Sequence, residues 1–77
     1  MSIGKKLELL RKSRNLTQEE LAEIVNVSRQ TIYKWEQDYA IPSYPRLKII
    51  VEYFEITYDD ILSESHTLEL VIQSTKE

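Results

Sequence analysis

Residues 28–34 read Ser-Arg-Gln-Thr-Ile-Tyr-Lys, a run dominated by long hydrogen-bonding side chains. On a helix, Arg29, Gln30, Tyr33 and Lys34 fall at i, i+1, i+4 and i+5 and point outward, while Thr31, Ile32 and Trp35 turn inward. The chemistry open to such a face is base-edge recognition. Arg pairs bidentately with guanine O6 and N7, Gln with adenine N6 and N7, Lys reaches guanine or phosphate, and Ser28 or Tyr33 can touch a thymine methyl or a phosphate. The candidate base-reading set is therefore Ser28, Arg29, Gln30, Tyr33 and Lys34.

Other residues could hold a phosphate backbone. Helix starts at Gln18, Ser28 and Ser43 would each offer free backbone N–H groups to phosphate oxygens, and Gln18 adds a side-chain amide. Gln18, Ser43 and Tyr39 are the candidate phosphate contacts. Catalytic chemistry has no comparable support. Ser28 lacks a His or Lys arrangement that would make it a nucleophile. Asp59 and Asp60 read as acids offsetting a helix dipole, His66 as a solvated residue of a polar tail, and Ile32 with Trp35 as core. Without cysteine there is no thiolate zinc site or disulfide. No catalytic residue, metal site or cofactor is expected.

The elements that must position these groups follow from periodicity and caps. Ile3, Leu7 and Leu10 mark a helix over about 2–13, with the lysines and Arg11 on its other faces. Thr17 with Glu20 forms a capping box opening a helix that runs to Val25 and buries Leu21, Ile24 and Val25. Ser28 caps the next helix, which ends near Gln37. Ser43 caps a fourth over about 44–54, with Pro45 in its first turn and Leu47, Ile50, Val51 and Phe54 as its buried stripe. Thr57 with Asp60 opens a short fifth helix. Asn15, Asn26 and Asp38 stand at helix exits, where a left-handed residue is needed and glycine is usual. In residues 64–77, Leu68, Leu70 and Ile72 alternate with Glu69, Val71 and Gln73, the pattern of an extended strand.

A 77-residue chain is one domain with little room for an enclosed active site. It carries neither a membrane-length apolar run nor a signal-peptide pattern, so a cytoplasmic setting is expected. The net charge of −3 is unfavourable for a polyanionic partner, but it is unevenly distributed. Residues 1–48 hold nine Lys/Arg against six acids, and residues 49–77 hold one against seven, which predicts a basic front and an acidic rear.

The runs LTQEELAE (16–23), VSRQTIYKWE (27–36), Pro42-Ser43 and ITYDDIL (56–62), in this order and spacing, resemble the Cro/repressor-type helix-turn-helix domain, the XRE family, which includes lambdoid phage repressors. The resemblance spans Ile3 to Leu62. It implies an all-α, compact five-helix lambda-repressor-like domain over 1–63, with the helix-turn-helix unit at about 17–36 and a recognition helix at about 28–37 entering the major groove. Residues 64–77 are then a C-terminal extended tail, either a dimerisation strand or a linker. By position, Gln18 matches the family's phosphate-clamping glutamine, Arg29, Gln30 and Lys34 its base-contacting residues, and Ser28 the cap beside the thymine methyl. Arg11 and Glu36 match a family ion pair that fixes the recognition helix on its scaffold and leaves guanidinium protons for a phosphate. Tyr33 departs from the small residue frequent at its position.

These readings converge on a sequence-specific regulator of transcription that binds double-stranded DNA, a repressor acting as a homodimer on a palindromic operator. Ile56, Ile61, Leu62, Leu68, Leu70 and Ile72 are the candidate dimer surface. Two alternatives stay open: an antitoxin-type regulator whose acidic rear grips a protein toxin, and a protein-interaction adaptor that has lost DNA binding.

Overall fold

The computed structural model describes residues 1–63, which form five helices and no strand: α1 (Ile3–Ser13), α2 (Gln18–Val25), α3 (Arg29–Glu36), α4 (Tyr44–Phe54) and α5 (Tyr58–Leu62). The expected strand at Leu68 to Ile72 lies outside the described residues.

Each helix start has an identifiable chemical cause. Ser2, Thr17, Ser28 and Thr57 accept hydrogen bonds from backbone amides of the first turns they open, and the Thr17–Glu20 and Thr57–Asp60 pairs are reciprocal capping boxes. Ser43 differs from expectation, since its side chain makes no cap hydrogen bond. With Pro45 at the second position of α4, that helix begins with fewer N–H groups to satisfy.

The helix ends are built without glycine. Asn15, Asn26, Asp38 and also Glu55 have φ of 57°, 65°, 62° and 58°. The following amides reach back five residues, Leu16 to Arg11, Val27 to Ala22, Tyr39 to Lys34 and Ile56 to Val51, all at 2.9–3.1 Å. These are Schellman-type reversals, which satisfy last-turn carbonyls.

α3 packs against both α1 and α2, while α5 closes onto α1 and α4. Leu7, Leu10, Leu21, Val25, Ile32, Trp35, Ile50, Phe54 and Ile61 meet in one core. Burying each large apolar side chain contributes roughly 1.5–3 kcal/mol. Ile3 and Ile24 are only half-buried at its margin, as is Thr31.

Lys6 corrects the expectation that the lysines of α1 face outward. It is fully buried, and its ammonium donates to the carbonyl oxygens of Asp60 (2.7 Å) and Ser63 at the end of α5. Lys6 lies three residues after Ile3 and four before Leu10, so it belongs to the inward stripe, and its cation suits the negative end of a helix. The single glycine, Gly4, sits where α1 meets the end of α3. A Cβ there would overlap the carbonyl oxygens of Trp35 and Glu36, and the Gly4 amide donates to Asp38 Oδ1 at 3.0 Å.

Candidate nucleic-acid interface

The outer face of α3 is an open polar edge. Ser28, Arg29, Gln30 and Lys34 are exposed, and the Arg29, Gln30 and Lys34 side chains make no hydrogen bond or ion pair with any described residue. Ser28 is engaged locally, its Oγ accepting from Thr31 N–H at 3.2 Å and meeting Thr31 Oγ1 at 3.0 Å. Tyr33 shares this face, 44% exposed, with its ring edge-on to Tyr39.

What orients this edge is a buried polar network at the other end of the helix. Arg11 donates from Nε to Glu36 Oε2 at 2.6 Å and from Nη2 to Oε1 at 3.1 Å, and from Nη1 to the Leu16 carbonyl at 2.8 Å. Gln18 Nε2 donates to Glu36 Oε1 at 3.0 Å. One carboxylate thus ties the first residue of α2 and the last turn of α1 to the last residue of α3. The Gln18 amide retains a second N–H beyond the one given to Glu36. Arg11 has most of its guanidinium inside the network, with its side chain 10% exposed. Ser43 and Tyr39 are both exposed.

The basic front predicted from the charge split is much thinner in space. Lys6 caps α5. Arg14 donates to the Tyr53 and Phe54 carbonyls ending α4 at 3.3 and 3.4 Å and lies 5.3 Å from both ring centroids. Arg46 donates to the Val25 carbonyl ending α2 at 3.4 Å. Arg11 holds Glu36. Lys5 and Lys12 flank Glu8 at 3.5 and 3.0 Å, and the hydrogen bond from Lys12 outweighs desolvation and, with lesser help from the two positive charges, holds the Glu8 carboxyl below its usual range. Arg29, Lys34 and Lys48 remain as exposed cations without a described partner. Sequence counting missed this because charge alone does not reveal which cations are helix C-caps. Position does, since Lys6 and Arg11 lie on or beside the apolar stripe of α1.

Of the candidate dimer residues, Ile61 is 1% exposed in the chain's own core, Ile56 is half-buried against that core, and Leu62 is exposed. Ile61 therefore offers no surface to a second copy. Leu68, Leu70 and Ile72 lie outside the described residues. Among the described residues, no group of three or more His, Asp or Glu could hold a metal ion, and no helix is long and apolar enough to cross a membrane.

Similarity to known proteins agrees with this geometry. The helix-turn-helix family matches over residues 7–61. The chain is 43% identical over 70 residues to the HTH-type transcriptional activator BcrR of Enterococcus faecalis, covering 91% of this chain and 34% of that protein. It is 38% identical over 69 residues to antitoxin PezA of Streptococcus pneumoniae serotype 4, covering 90% of this chain and 44% of that protein. The chain thus spans less than half the length of these relatives. No solved structure gives a significant match. With capped helices, a glycine-free turn at Asn26 and a family match over most of its length, the chain belongs to the Cro/repressor-type (XRE) helix-turn-helix family.

Proposed function

We propose that the protein is a sequence-specific double-stranded DNA-binding regulator of transcription that inserts α3 into the major groove. The carrying observation is the combination on α3: Arg29, Gln30 and Lys34 stand exposed without internal partners, on a helix whose end is locked by Arg11, Glu36 and Gln18. A solvated helix needs no such lock. Ser28, Arg29, Gln30, Tyr33 and Lys34 read base edges, while Gln18, Tyr39, Ser43 and the guanidinium protons that Arg11 does not give to Glu36 and Leu16 contact phosphates.

The regulator acts as a homodimer on a palindromic operator, because one eight-residue helix reads only a few base pairs and two-fold pairing gains affinity. Repression by occupancy is the favoured mode, since it needs nothing beyond the DNA-binding surface. The test is selection of binding sites from random duplex DNA followed by titration against salt. The reading expects a palindromic consensus with half-sites about 34 Å apart and affinity that falls steeply with salt. Failure to enrich any sequence at any salt concentration overturns it and favours the adaptor.

A second reading, an antitoxin that also binds a protein, is favoured by the likeness to PezA and by the exposed acids Glu52 on α4, Glu55 at its end and Asp59 on α5. A basic protein would be its partner.

A further inference from the structure

Tyr33 does not stand alone on the outer face of α3. Beyond Glu36 the chain reverses through Asp38 in the left-handed region, and Tyr39 N–H bonds to the Lys34 carbonyl at 2.9 Å while Asp38 N–H bonds to the Trp35 carbonyl at 3.1 Å. The reversal is held again by Gly4, whose amide donates to Asp38 Oδ1. Tyr39 is consequently anchored to the last turn of the helix. Its ring meets that of Tyr33 edge to face, with centroids 6.3 Å apart and planes at 69°. Tyr39 itself is 72% exposed, so this is not a core contact. One ring on a fixed backbone braces another at the reading edge.

A helical aromatic side chain has two accessible χ1 wells, and a neighbouring ring selects between them. A braced ring at Tyr33 is an apolar, oriented surface one turn along from Arg29 and Gln30. The feature of the major groove that such a surface recognises is the thymine 5-methyl group. We propose that Tyr39 is a specificity-determining positioning residue, its ring holding Tyr33 against a thymine methyl. This rests on the reading that α3 enters the major groove. It also separates two roles of one side chain, because a phosphate contact uses the Tyr39 hydroxyl and the brace uses the ring.

The test uses the full chain and its selected operator, with each thymine replaced in turn by deoxyuridine, which removes only the methyl. Binding of the parent, Tyr39→Phe, Tyr39→Ala and Tyr33→Ala is measured on each duplex. At one thymine per half-site, loss of the methyl is expected to weaken the parent and Tyr39→Phe by about three- to fivefold. Tyr39→Ala and Tyr33→Ala are expected to bind the two duplexes equally. Retention of full methyl dependence by Tyr39→Ala overturns the proposal, as does its loss in Tyr39→Phe or its absence from the parent. Unchanged helicity of Tyr39→Ala by circular dichroism shows that the fold is intact. If the parent binds no DNA, the groove reading itself has failed, an outcome distinct from binding without methyl dependence.

Discussion

Arg11 and Glu36, separated by 25 residues in sequence, meet as a two-pronged ion pair in which Nε and Nη2 each take one carboxylate oxygen. The pair is nearly closed to solvent, with side chains 10% and 1% exposed. A buried pair of this kind adds little net stability, because desolvating two charges offsets most of their attraction. Its consequence is geometric: the planar guanidinium and carboxylate allow one relative orientation of α1 and α3, and Gln18 brings α2 into register with both.

Breaking that pair is expected to be more harmful than removing it. Glu36→Ala leaves the Arg11 charge buried without its carboxylate and should cost about 3–5 kcal/mol in chemical denaturation. The double variant Arg11→Met with Glu36→Leu should recover most of that stability without recovering DNA binding, because nothing then orients Gln18. A cost below about 1 kcal/mol for Glu36→Ala would show that the pair is not desolvated in solution.

Lys6→Met keeps the apolar stem but withdraws a charged donor from the Asp60 and Ser63 carbonyls. The expected cost is about 1.5–3 kcal/mol. Amide hydrogen exchange should locate it, with α5 opening well before α2 and α3. Uniform acceleration across all helices would argue against a local capping role.

The two cases show why some of the fold was legible in the residues and some was not. Thr17 with Glu20 and Thr57 with Asp60 are local devices whose chemistry is complete within four residues, so the starts of α2 and α5 follow from sequence alone. The outward set Arg29, Gln30 and Lys34 follows from helical period for the same reason. Lys6, Arg14 and Arg46 instead meet carbonyls 54, 39 and 21 residues away, and residue type does not announce such partners. Residue type does not mark Glu55 either, because Glu is a poor candidate for a left-handed exit, yet it occupies one.

Glycine substitutions should have opposite signs at two positions. Gly4→Ala improves helix propensity by about 1 kcal/mol, but its Cβ meets the Trp35 and Glu36 carbonyl oxygens, so α1 must shift from α3. A net loss of about 1–3 kcal/mol is expected. Glu55→Gly relieves the left-handed strain at φ 58° and removes an acid from the negative end of α4. It should raise stability by about 0.5–1 kcal/mol. Thermal melts of the two variants test both signs.

The Tyr58 phenol should resist ionisation. Its hydroxyl donates to Tyr44 at 3.4 Å beneath a stacked ring pair, and that hydrogen bond, with smaller contributions from desolvation and nearby charge, pushes its pKa up from 10.0 to about 12. A raised folded-state value means the neutral phenol is the form the fold prefers. Its contribution is therefore intact below pH 10.0 and is lost as pH rises toward about 12. Phenolate absorbance should show one late titration, moved down by Tyr44→Phe. An unchanged titration in that variant would remove Tyr44 as the cause.

Arg29 and Gln18 should separate reading from holding. Arg29→Ala is expected to cost about 1–3 kcal/mol of specific affinity and to relax the consensus at one position, with little change on unrelated sequences. Gln18→Ala should weaken every duplex alike. Because a neutral amide displaces no counterion, the salt slope should stay that of the parent. Gln18→Glu should be worse than Gln18→Ala, since a second carboxylate would then face Glu36 in place of the donor now 3.0 Å away, and it would also face the phosphate. Salt-dependent titrations of all three against operator and random DNA decide this. A consensus altered by Gln18→Ala would move that residue from backbone to base, and tight binding by Gln18→Glu would remove it from the interface.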